Sequence, residues 1–215
     1  MAQLVLRSGL RVEDPAGVAA RMLGEEWHYY DGVPMGDWDR VEPMDVLATV
    51  SVNSFVTGAA RVRQVHRGLA AACDDRLAGI PREAHLLDSD VAEVEGLLAA
   101  ACEVPGVLVP VATKVLHRKR PHLIPMLDNV VLAHYFGYLD RPELVGRSQD
   151  KRRAASAARV ALDAFRADLD QADPVLADIA GQLAVEGTRV TAVRLLELLV
   201  WCAVEPAGYY RQLPP

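Results

Sequence analysis

The residues with most chemistry to offer lie between Pro105 and Gly137, in PGVLVPVATKVLHRKRPHLIPMLDNVVLAHYFG. One carboxylate, Asp128, stands where a helix would begin, 22 residues after the glycine of a Pro105-Gly106 turn. Held at a fixed distance from that turn, it can serve as the charged group of a site, or simply cap the helix with its side chain. Four cations, Lys114, Arg118, Lys119 and Arg120, lie between turn and carboxylate, and no acid opposes them from Lys114 to His122. A second run, Arg147, Lys151, Arg152 and Arg153, is opposed only by Asp150. If the two runs converge in space they make a local basic face on a chain whose net charge is −6. The plainer reading is that both are solvated helix ends, with cations at the negative end of the helix dipole.

Other chemistries lack their residues. Cys73, Cys102 and Cys202 are widely separated, odd in number and set in apolar helical surroundings. They read as small buried hydrophobes rather than as a disulfide framework or zinc ligands, so neither a metal site nor a cofactor is expected. Four cysteines for an iron–sulfur cluster are not present. His117, His122 and His134 read as structural or surface histidines, because no spacing ties them to a nucleophile and no nucleophile elbow is found. No glycine-rich fingerprint stands between a strand and a helix, which removes the common nucleotide-dependent enzymes. The net charge argues against the whole surface binding a polyanion.

The elements that must position these residues are helical almost throughout. The 215 residues, 51% of them hydrophobic, can bury one substantial core or two small, closely packed helical layers. Val62, Val65, Leu69 and Ala72 form one stripe at helical spacing. Val91, Val94, Leu97, Leu98 and Ala101 form another, behind a capping box from Asp90 to Glu93. The turn leads into a short helix from Val109 to Arg118, and Pro121 to Pro125 forces a non-helical link. Ser148 can start a long helix carrying Val160, Phe165 and Leu169, Asp173-Pro174 reads as a new N-cap and first-turn proline, and Thr188 can cap a final apolar helix through Trp201. The expected fold is all-α, a compact bundle of six to nine helices, with a short strand possible at Leu4 to Leu6. Trp27 to Pro43 should be an ordered loop, whose Trp27, Tyr29, Tyr30 and Trp38 can stack on an extruded base or seal the loop against the core. No window has the roughly 18 to 20 uncharged apolar residues of a membrane span, and the first residues lack a signal peptide's pattern, so the expected compartment is the cytoplasm.

Val104, Pro105, Gly106 and Val107, with Ala112 and Asp128 beyond them, resemble the helix-hairpin-helix and following helix of the base-excision DNA glycosylase superfamily. Upstream, PMDVLATVSVNSFVT from Pro43 to Thr57 resembles the first core helix of those enzymes, with Asn53 and Ser54 near the position that probes the duplex. The likeness covers roughly Pro43 to Gly137. It divides the chain into an N-terminal segment and aromatic loop (1–42), a glycosylase-like helical core with a degenerate hairpin (43–146), and C-terminal helices packed on the same core (147–215). The stretch from Lys119 to Asp128 also resembles an uncharacterised actinobacterial family with a Lys-Arg-Pro-x-Leu-Ile-Pro-x-x-Asp signature.

The glycosylase likeness implies a protein that binds DNA or a modified nucleoside and cleaves an N-glycosidic bond with Asp128. The carboxylate would stabilise oxocarbenium-like charge or activate water. Gly106, Lys114, Arg118, Lys119, Arg120 and Asn53 would form the nucleic-acid-binding side. Two departures bear on this. The hairpin's second glycine is Leu108, and Pro110 removes an N–H from the first turn, so phosphate binding there is weakened. Pro110 also stands where bifunctional members carry their Schiff-base lysine, so strand cleavage is not expected from that position. The alternatives are a catalytically inactive helical module of the same fold, binding nucleic acid or protein with Asp128 as a cap, and a purely protein-binding helical scaffold.

Overall fold

The computed structural model describes residues 3–24, 28–52, 54, 56–185 and 190–204. Among these the fold is all-α, with ten α-helices, one 3-10 turn and a two-stranded hairpin. β1 (Gln3–Val5) pairs antiparallel with β2 (Arg11–Glu13), Leu4 opposite Val12. The strand expected at Leu4 therefore has a partner. Gly9, at φ +77°, closes the turn between them by donating to the Leu6 carbonyl, the left-handed position that suits glycine.

Helices α1 (Pro15–Gly24), α2 (His28–Gly32) and α3 (Pro43–Ala48) come next, followed by the 3-10 turn Thr49–Val52. The helix expected from Pro43 to Thr57 thus ends early. Thr49 and Ser51 turn their hydroxyls back onto the carbonyls of Val46 and Ala48, within a β-branched stretch that favours leaving the α form. α4 (Ala59–Gly79) and α5 (Val91–Cys102) bury the two predicted stripes, and Asp90 caps α5 by accepting from the Ala92 N–H. α6 (Val109–Lys119) is the central helix, buried without a break from Ala112 onwards. α7 (Asn129–Tyr138) follows it, then the short α8 (Glu143–Ser148).

α9 (Ala154–Val185) is a spine of 32 residues, about 48 Å long, packed against α5, α7, α8 and α10. Ala154, Ala157, Ala158 and Ala161 are buried along it and let its neighbours approach closely. Two expectations change here. Ser148 closes α8 rather than opening the long helix, its hydroxyl donating to Val145 O. Asp173-Pro174 does not start a new helix, because α9 runs through Pro174. A proline inside a helix costs about 3 kcal/mol, but the stripe Ala172, Leu176, Ile179 and Leu183 stays buried across it, and packing outweighs the local signal. The last helix, α10 (Ala192–Val204), is capped by Thr191, whose hydroxyl accepts from the Arg194 N–H. Thr188 lies outside the described residues. The short α2 and α8 bring the number of helices above the six to nine expected. One continuous apolar cluster runs from Leu4 to Trp201 and includes Cys73 and Cys102. Burial pushes the thiol of Cys73 up to about 12 and that of Cys102 up to about 11. No helix among the described residues is long and apolar enough to cross a membrane.

Candidate functional site

The turn between α5 and α6 and the start of α7 face one another across a cavity of about 460 Å³. Gly106 stands on one side, at φ +73°. Asp128 stands on the other as the N-cap of α7, its Oδ1 accepting from the N–H groups of Val130 and Val131 at 2.9 Å each. Lys114, on the second turn of α6, lines the same space although only 7% of it is exposed, and donates from Nζ to Val52 O. Burial lowers the pKa of this ammonium, while Asp128 and Glu197 oppose the shift. Ser54, Arg61, Asn129, Gln149 and Trp201 complete the polar and aromatic parts of the wall. Three predicted site residues, Gly106, Lys114 and Asp128, therefore meet in one place. Asn53 lies outside the described residues.

A charged network backs this cavity. Arg194, on α10, is 1% exposed and grips Asp31 through Nε and Nη2 at 3.1 to 3.2 Å and Glu197 through Nη1. Burial alone would lower the pKa of this guanidinium, but Asp31 and Glu197 more than offset it and hold the charge. Burial pushes the Glu197 carboxyl up to about 7, against the pull of Arg194. Tyr30 has two guanidiniums near its ring, Arg118 and Arg194 at 5.6 and 5.4 Å from its centre, and donates its hydroxyl to Lys114 O. His117 is buried beside this group, its Nδ1 2.6 Å from the Ile124 carbonyl. A carbonyl only accepts, so Nδ1 carries the proton, and burial pushes the imidazole down to about 4.

Arg118, Lys119 and Arg120 are elsewhere. They are 4%, 0% and 0% exposed, at the opposite end of α6 from the cavity, and they form no basic face. Arg118 binds Asp45 at 3.0 Å and the carbonyls of Tyr30, Val33 and Pro34. Lys119 reaches Asp45 and the Asp37 carbonyl. Arg120 binds Asp39 and the carbonyls of Trp38, Leu77 and Ile80. These cations strap the irregular 33–39 segment and the end of α4 to the core, because a segment without regular structure must find donors for its buried carbonyls. As placed, their charged ends are turned to those carbonyls and carboxylates instead of towards a phosphate. The second run stays outside: Arg147, Lys151, Arg152 and Arg153 are exposed, with Lys151 paired to Glu103 and Arg153 to Asp150.

The segment expected to be an aromatic loop is helical over His28–Gly32, and where it is described it seals the core. Tyr30 is 1% exposed and Trp38 lies under Arg82, whose guanidinium carbon is 3.6 Å from the ring centre. Tyr29 is exposed at the surface, and Trp27 is outside the described residues. The aromatic wall of the cavity is instead Trp201, on the final apolar helix and itself part of the core cluster. Arg61 was also missed. Its guanidinium donates to Pro105 O at 3.2 Å and Gly106 O at 2.9 Å, contacts that span more than forty residues of sequence. Arg194 and Glu197 did leave a signal, as the charged pair of the otherwise apolar AVRLLELLVW.

The fold and site define an all-α protein in which a helix-capping carboxylate and a buried lysine share a cavity with an aromatic wall. The chain belongs to DUF6308, a family of unknown function, whose model matches residues 16–204. Neither a curated protein nor a solved structure matches it.

Proposed function

We propose that the Asp128 cavity is a glycosylase-like site, which holds a nucleoside unit of nucleic acid or a modified nucleoside and cleaves its N-glycosidic bond. The observation that carries this reading is the meeting of Asp128, held by two backbone N–H groups, with the Lys114 ammonium and the indole of Trp201 in one cavity. The resemblance of the Gly106 turn and its spacing from Asp128 to the DNA glycosylase hairpin adds support.

In the reaction the bond between base nitrogen and anomeric carbon breaks with its electron pair going to the base, and positive charge grows on the sugar. Asp128 stabilises that charge or takes a proton from water as its oxygen bonds to the anomeric carbon. Lys114 has further N–H bonds beside the one given to Val52 O and can donate to the leaving base. Trp201 offers a flat apolar face for that base.

The test is base release, followed by chromatography, from free nucleosides and from oligonucleotides carrying uracil, hypoxanthine or alkylated purines. Asp128→Asn keeps a good N-cap residue, so the fold should survive while release falls about 100-fold or more. Equal release by wild type and Asp128→Asn, or none from any substrate, overturns the proposal.

A further inference from the structure

The cavity's own charge identifies its ligand further. Two cations, Arg61 and Lys114, line it against one carboxylate, Asp128, in a protein of net charge −6. No ion pair within 4 Å engages Arg61 or Lys114 among the described residues. Arg61 gives three hydrogen bonds to neutral oxygens, on Gln64, Pro105 and Gly106, and its remaining N–H groups are left for an anion. Gly106 lies beneath it at φ +73°, and a Cβ there would lie 1.8 Å from Arg61 Nη2 and displace the guanidinium. The second large cavity, of about 360 Å³ beside the 33–35 segment, differs in kind. Its guanidiniums are already matched, Arg118 by Asp45 and Arg194 by Asp31.

A polymer needs more than one such contact. Duplex-binding proteins commonly neutralise about six to ten phosphates with Lys and Arg, and here Arg118, Lys119 and Arg120 are buried in the interior. The exposed run beside the cavity, which contributes Gln149 to its wall, is interleaved with acids through the Lys151–Glu103 and Arg153–Asp150 pairs.

We infer that the cavity binds a free nucleoside monophosphate, its phosphate on Arg61 at the Gly106 turn and its base against Trp201, in preference to a nucleic-acid chain. This rests on the nucleoside reading of the Asp128 site and specifies its substrate class.

Titration calorimetry on the full chain tests it with the nucleoside monophosphates, their parent nucleosides, and single-stranded and duplex 12-mers. The monophosphates should bind about tenfold or more tighter than the nucleosides, the worth of one charge-assisted phosphate contact. Arg61→Leu should remove that difference, and Arg61→Lys should restore part of it. A thermal melt of each variant shows that the turn is still folded. Equal affinity for nucleotide and nucleoside, tighter binding of a 12-mer than of any monomer, or no binding of monophosphates overturns the inference. The two proposals fail separately: a monophosphate that binds through Arg61 but releases no base removes the cleavage reading alone. Base release from nucleosides with no gain from a phosphate removes this one alone.

Discussion

His117 shows what burial does to one titratable side chain. Its folded pKa, about 4, lies below the ordinary histidine value of 6.5, so the unfolded chain binds the extra proton more readily between those limits. The histidine's contribution to stability is fully present above pH 6.5 and is lost as pH falls towards 4, by up to about 1.4 kcal/mol per pH unit. Glu197 acts in the opposite sense, since its folded pKa of about 7 lies above the ordinary 4.5 and its contribution is lost as pH rises through that interval. Comparing wild type with His117→Gln isolates the first effect, because Glu197 is common to both. Urea unfolding at intervals from pH 7 to 4 should show the wild type losing stability relative to the variant as pH falls. Parallel profiles would mean that the imidazole is not buried neutral.

At the scale of the element, α6 joins two different tasks, with the cavity at its N-terminal end and the straps at its C-terminal end. Asp45 on α3 receives both Arg118 and Lys119, and its Oδ2 also accepts the Glu42 N–H. Asp45→Asn keeps the small side chain but leaves two buried cations without their carboxylate, and should lower the unfolding free energy by about 3–5 kcal/mol in urea denaturation. A change below 0.5 kcal/mol, the size of an ordinary surface substitution, would mean that water reaches the straps. The helices themselves were legible, since the stripes of α4 and α5 and the caps Asp90 and Asp128 are local patterns of a few residues. What α6 does was not. A charged triplet ordinarily marks a surface, and the acceptors that draw Arg118 to Arg120 inward lie 40 or more residues away, apart from local carbonyls. Pro174 is the reverse case, a clear local stop overruled by the buried face that continues beyond it. In the candidate site, Asp128 and Gly106 could be paired from a motif, whereas Arg61 and Trp201 join them only through packing.

For the whole molecule, one apolar cluster ties the hairpin, α6 and the final helix together, so local openings near α6 should be rare. The central straps then have a consequence for proteolysis. Arg118 and Lys119 are substrates for trypsin by residue type, yet both are shielded near the middle of the 215-residue chain. Exposed cations such as Arg147 and Arg152 can be nicked from the folded state, while a cut after Arg118 or Lys119 requires α6 itself to come free. Cleavage after Arg118 or Lys119, read by mass spectrometry in a trypsin time course, should therefore track global unfolding measured by urea, with the same dependence on denaturant. Early cleavage after either residue in the native protein would show that α6 opens on its own. The triplet is a latch on the protein's own interior, and a protease becomes its clock.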